Sequence, residues 1–217
     1  MENSFWHSCW ERNSLGFHQA SVHPFLPQYF EKLRLATDQH VFVPLCGKSS
    51  DMAYLAQFFQ VTGSELSEIA CRDFFSEHQV AYQQAKVAPF KRFDADKLTL
   101  WQGDFFQLTS EHVAPVDWIY DRAALIALPL AMQQSYVEHL KQFFKPSTRL
   151  FLLTLEFPTE QLTGPPFAVN NADVAHLFTG FNVACIAERE LENKQFAQRR
   201  FDVDYLIEKL YIISWKN

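Results

Sequence analysis

The chain has 217 residues, a net charge of −6 and 48% hydrophobic residues, with twenty-two phenylalanines. That length accommodates one domain (residues 1–217) with a core large enough to need no disulfide or metal. An acidic balance without a basic run argues against nucleic acid or an anionic membrane as partner, and no apolar run approaches a membrane span.

Residues 1–36 precede the first strand. Trp6, Trp10, Phe17 and Phe25 put large aromatics on a short amphipathic stretch broken by Gly16. Pro24 and Pro27 set up a helix near Gln28 to Leu35. The region reads either as a helical flap on the sheet edge or as a lid over a ligand. Trp6 and Trp10 share a helix face that would attract a cation. The opening residues lack the apolar core of a signal peptide, which predicts a cytoplasmic protein.

The organising stretch is His40 to Asp51, HVFVPLCGKSSD. Val41 to Leu45 reads as a strand buried on both faces, Cys46 to Asp51 as a turn, and Met52 to Gln60 as a helix. Strand, glycine turn and helix make the first unit of a parallel α/β sheet, in which ligands sit at the carboxyl ends of strands. Gly47 is the one glycine in the turn, so neither a dinucleotide fingerprint nor a P-loop is present; position 42, where the P-loop needs glycine, is Phe42.

Val61 to Glu65 is the second predicted strand. An acid at that strand end suits a ribose diol, because a carboxylate offers only acceptors; a solvated or capping glutamate fits as well. A helix from Glu68 to Glu77 follows. Residues 80–97 show no period and read as a connector. Leu98 to Trp101 is a third strand, ending in Gly103-Asp104. Asp117 to Arg122 is a fourth, followed by a helix from Pro129 to Phe144. Arg122 emerges at the same rim as Gly47, Glu65 and Gly103; beside Asp121 it reads most simply as a surface ion pair that Asp121 holds, or, in a cleft, as a planar fork that orients an anionic group. Arg149 to Glu156 is a central strand. Asn171-Ala172-Asp173 caps a helix ending at Phe178. Phe181 to Arg189 and Tyr205 to Trp215 form an antiparallel pair, joined by a charged loop from Glu190 to Arg200. The count is about seven strands, helices alternating with the first five.

Cys9, Cys46, Cys71 and Cys185 are scattered, without metal spacing, and read as free thiols. His18 invites a general-base role, although a ring bonded to lid backbone is the simpler reading. Arg199 and Arg200 read either as a reach to a substrate from the last loop or, more simply, as a solvated charge pair.

The ordered set Phe5-Trp6 with Trp10, Gly16-Phe17-His18-Gln19, Val43 to Ser49, Gly63 to Ser67, Gln102 to Phe106, Tyr120 to Leu125, Gly164 to Phe167 and Glu208 to Tyr211 resembles the bacterial thiopurine S-methyltransferases. These lie within the seven-stranded S-adenosylmethionine-dependent methyltransferases. The resemblance implies a doubly wound, mostly parallel α/β sheet with its last strand antiparallel and an N-terminal helical lid. It implies S-adenosyl-L-methionine as methyl donor, no metal and a small-molecule thiol as acceptor in a monomeric enzyme. By the same carry-over Trp10, Leu45, Glu65, Gly103, Asp104 and Arg122 bind the donor, while Phe17 and Arg122 meet the acceptor. Two other functions stay open: methylation of selenium or tellurium species, and non-catalytic binding of the donor.

Overall fold

The computed structural model describes residues 3–30 and 39–216. Among the described residues the chain builds a nine-stranded sheet and a separate two-stranded ribbon. Strand β1 (His40–Val43) lies at the centre. It pairs in parallel with β2 (Gln60–Glu65) on one side and with β6 (Trp118–Arg122) on the other. Beyond β2 comes β5 (Leu98–Gln102), and beyond β6 comes β7 (Arg149–Glu156), both parallel to their neighbours. The far edge is β11 (Ile207–Trp215), antiparallel to β7, and then β8 (Phe181–Glu190), antiparallel to β11.

The strand sequences explain this order. β1 alternates across the sheet: Val41 and Val43 pack on one side and Phe42 on the other, all three buried. In β7, Leu150, Leu152 and Leu155 join the layer of Phe42, while Phe151 and Leu153 join the opposite one. Strands apolar on both faces belong in the middle of a sheet covered on both sides. The cover comes from α2 (Ser50–Leu55), α3 (Glu68–Glu77), α4 (Leu130–Leu140) and α5 (Asn171–Leu177), while α1 (Asn3–Glu11) lies outside both layers, its Trp10 packed with Ala70 of α3.

Several expectations change. The connector over 80–97 is a hairpin, β3 (Gln83–Val87) and β4 (Phe90–Asp94), added antiparallel to β5. Only Phe90 and Phe93 are buried in it, and β3 is polar and exposed, as an edge strand must be to avoid pairing with other chains. The sheet therefore exceeds the expected seven strands. The helix after β1 starts earlier and ends at Leu55, and the one after β6 ends at Leu140 in a 3₁₀ turn over Lys141–Phe143. The cap of α5 is Asn170, which shares a capping box with Asp173. The loop after β8 folds back as β9 (Gln195–Phe196) and β10 (Arg199–Arg200). Leu26–Phe30 forms a π-helical turn; the rest of the helix expected to reach Leu35 lies outside the described residues.

Candidate active site

The carboxyl ends of β1, β2, β5 and β6 open into one cleft of about 990 Å³, its mouth included. The turn after β1 supplies Leu45 to Ser49, β2 supplies Glu65, and the β5 loop supplies Asp104, Phe105 and Phe106. β6 supplies Arg122, and Ala127, Leu128 and Met132 close the far wall. Trp6, Trp10, Phe17 and His18 come down from the N-terminal segment.

The turn after β1 is held in an unusual shape. Leu45 and Gly47 both have positive φ, 46° and 54°. At Gly47 this left-handed conformation is unstrained because there is no Cβ. A Cβ there would lie 3.4 Å from the Trp10 ring, an ordinary van der Waals contact, so it is the left-handed backbone and not the space under the indole that favours glycine. The Leu45 N–H donates to Ser64 Oγ (3.3 Å) and the Cys46 N–H to the Ser64 carbonyl (2.9 Å), fixing the turn to β2.

Glu65 is buried and links two loops. Its Oε2 accepts the Gly47 N–H at 2.8 Å and its Oε1 accepts the Ser67 N–H at 2.7 Å. Burial raises its pKa, although the N–H groups of Ser67 and Gly47 oppose this. Each carboxylate oxygen retains a further lone pair for a ligand donor.

Arg122 is held by Asp51, not by Asp121. Successive strand residues point to opposite faces, so the expected neighbour faces away. Arg122 Nε donates to Asp51 Oδ2 (2.9 Å) and Nη2 to Ser49 Oγ (3.3 Å). Nη1 is buried without a hydrogen-bond partner among the described residues. Asp51, 1% exposed, also accepts the Tyr120 hydroxyl (3.0 Å) and the His23 N–H (2.7 Å). The His23 ring pairs with Glu208, which in turn holds Arg189. The sequence gives little warning of Asp51, since Ser49-Ser50-Asp51 reads as an ordinary helix start, and Ser49 does cap α2 by accepting the Asp51 N–H. Asp121 lies behind the cleft, accepting the Ala124 and Leu125 N–H groups and the Tyr136 hydroxyl. Burial pushes its carboxyl up to about 6.

Asp104 lines the cleft and caps a 3₁₀ turn through the Phe106 N–H (3.0 Å). Gly103 is not in the lining. It sits behind the wall at φ 154°, and a Cβ there would lie 2.4 Å from the Phe90 ring. Phe17 lies edge-on to Trp6 (5.6 Å between centroids) and Trp10 (5.8 Å). His18 lines the cleft, but among the described residues its ring bonds no backbone of the N-terminal segment; its main-chain N–H does so, to the Leu15 carbonyl. Cys46 also faces the cleft, and burial pushes its thiol pKa well up, which leaves it protonated. Arg199 is exposed, as expected, and also donates to the Pro165 carbonyl and lies over the Phe201 ring. Among the described residues no group of three or more His, Cys, Asp or Glu can hold a metal, and no helix is long and apolar enough to cross a membrane.

A family model described as thiopurine S-methyltransferase matches residues 1–216. A thiopurine S-methyltransferase of Pseudomonas fluorescens is 42% identical over 216 residues, covering 99% of this chain and 97% of that protein. One from Photobacterium profundum is 40% identical over 215 residues, covering 99% of both. The fold is shared at lower identity. A S-adenosylmethionine-dependent methyltransferase from Anabaena variabilis superposes with a TM-score of 0.71 at 14% identity, covering 99% of this chain and 95% of that one. A Burkholderia thailandensis N1-methyltransferase, solved with its substrate 1,6-didemethyltoxoflavin and S-adenosylhomocysteine, does so with a TM-score of 0.66 at 12% identity, covering 99% of this chain and 87% of that one. With a match of this length and identity, the chain belongs to the thiopurine S-methyltransferase family of S-adenosylmethionine-dependent methyltransferases.

Proposed function

We propose that the cleft binds S-adenosyl-L-methionine and that its methyl group passes to the sulfur of a flat aromatic or heterocyclic thiol, thiopurines being the class for which the relatives are named. The observation that carries this is one juxtaposition. A buried acid (Glu65), a glycine turn under an indole (Gly47, Trp10) and a guanidinium with an unmet donor (Arg122 Nη1) line the same cleft at the carboxyl rim.

The residues fit a donor of that shape. Glu65 has acceptor capacity left for ribose hydroxyls. Asp104 borders the adenine, with Gly103 shaping that wall from behind. Leu45 and the Gly47 backbone face the amino-acid end, and Trp10 covers it, its π face suited to a positive charge. When bound, the donor supplies an electrophilic methyl on a sulfonium sulfur. Arg122 Nη1 then finds its acceptor in an anionic group, the acceptor thiolate being our choice, which favours the ionised nucleophile. Phe17, with Trp6, stacks against the flat acceptor. Helix α1 and the segment to His18 act as a lid that orders both reactants and keeps water out. We read the protein as a cytoplasmic monomer whose reactants are both small molecules.

Calorimetry with S-adenosylhomocysteine, followed by turnover assays with S-adenosylmethionine, tests the reading. One binding site and methylation of a thiopurine are expected. Binding without turnover on a thiopurine, selenite or tellurite would leave a donor-binding protein instead. Turnover on selenite or tellurite alone would move the acceptor class.

A further inference from the structure

We propose that the His18 imidazole takes the proton of the acceptor thiol. This inference rests on the cleft being the site of S-methylation. His18 follows Phe17 and lines the same wall, and its ring makes no hydrogen bond to any described residue.

The other titratable groups of the lining are engaged. Lys48 is paired with Glu77 at 2.6 Å. Glu65 is held by two backbone N–H groups, and Cys46 keeps its proton. Asp104 caps a turn on the β5 side. His18 is therefore the uncommitted base on the lid side of the cleft.

Its electrostatic setting agrees. Burial and the cations Lys48 and Arg122 disfavour the imidazolium, His78 adds slightly to this, and Glu77 opposes it. The ring is neutral near pH 7 and offers one nitrogen lone pair. For a thiol that arrives protonated, the S–H bond breaks and the proton passes to that nitrogen. The electron pair stays on sulfur and forms the new S–CH₃ bond. The bond from the methyl carbon to the sulfonium sulfur breaks, its pair returning to that sulfur as a neutral thioether. His18 then releases its proton to water.

The test uses two aromatic thiols of similar size, an arenethiol that is ionised across the assay range and an arylmethanethiol that stays protonated until high pH. His18→Gln and His18→Asn are assayed for kcat/KM against pH. For the protonated thiol we expect a loss of about 10²–10⁴-fold, recovered as the pH approaches the thiol's own pKa, with a loss within about threefold for the ionised thiol. Equal losses on both thiols, or none on either, overturn the proposal. Binding of S-adenosylhomocysteine to the variants checks that the cleft is intact. If a variant fails that check, wild type decides: its kcat/KM for the protonated thiol must rise with the titration of His18 followed by NMR, while the profile for the ionised thiol lacks that limb. A mismatch between the limb and the His18 titration overturns the proposal. Failure of the underlying methylation reading looks different, since wild type would then turn over neither thiol.

Discussion

On the floor of the cleft buried Asp51 is held by three side-chain or backbone donors and buried Glu65 by two. Over it, the lid is held by edge-on contacts among Trp6, Trp10 and Phe17 and by a few single hydrogen bonds, such as the Gln198 N–H to the Gly16 carbonyl. The floor is polar and over-determined; the lid is apolar and loosely tied. A buried charge needs its partners at all times, so the floor has one arrangement. Aromatic edges slide at small cost, so the lid role proposed above for this segment asks little of its packing. The two regions should respond differently to mutation.

The largest effect should come from the floor. Asp51→Ala leaves the Arg122 guanidinium, the Tyr120 hydroxyl and the His23 N–H without their acceptor. Breaking a buried pair this way should cost about 3–5 kcal/mol in urea unfolding. A loss below 1 kcal/mol would show that the floor is not over-determined.

Asp121 offers a pH-resolved version of the same test. Its folded pKa of about 6 lies above the ordinary 3.8, so the folded protein keeps a proton there that the unfolded chain has already released. Its contribution is full below pH 3.8 and is lost as pH rises through 6. Asp121→Asn keeps an acceptor for the Ala124 and Leu125 N–H groups and cannot titrate. Relative to this variant, wild type should lose on the order of 2 kcal/mol between pH 4 and pH 7. Parallel stability curves for the two proteins would contradict the assignment.

The lid should yield a kinetic signature instead. Phe17→Ala should raise KM for an aromatic thiol about tenfold, the worth of one aromatic contact. The midpoint of unfolding should hardly move. A large stability loss with unchanged KM would reverse the comparison.

The smallest effect belongs to the lid's tether. A Cβ on Gly16 would come within 2.6 Å of Arg199 Cδ, part of a flexible side chain that can swing off the Pro165 carbonyl. Gly16→Ala should change stability by less than about 0.5 kcal/mol. It should still speed hydrogen exchange over residues 3–19. Unchanged exchange would show that Arg199 does not pin the lid.

Much of the scaffold could be read in the residues because central strands are apolar on both faces and end in polar turns. That pattern marks β1, β6 and β7 and puts Arg122 at the rim, while β2 has Val61 as its one large apolar residue and is betrayed chiefly by the acid Glu65 at its end. The hairpin of β3 and β4 carries no such mark, since an edge strand is polar by necessity and Pro89 interrupts the run. The partner of Arg122 was also hidden. Adjacency along the chain favours Asp121, but strand alternation sends it to the other face, and Asp51 arrives from a helix start seventy-one residues away. His23 is hidden for the same reason: its partners Asp51 and Glu208 come from distant parts of the chain.

The most direct measurement is a crystal structure with S-adenosylhomocysteine and a thiopurine bound. The account predicts ribose hydroxyls on the Glu65 carboxylate, the thiopurine against Phe17, and its sulfur within hydrogen-bond reach of Arg122 Nη1. A ligand seated away from the carboxyl ends of β1, β2 and β6, or a Glu65 and Arg122 that touch neither molecule, would contradict it.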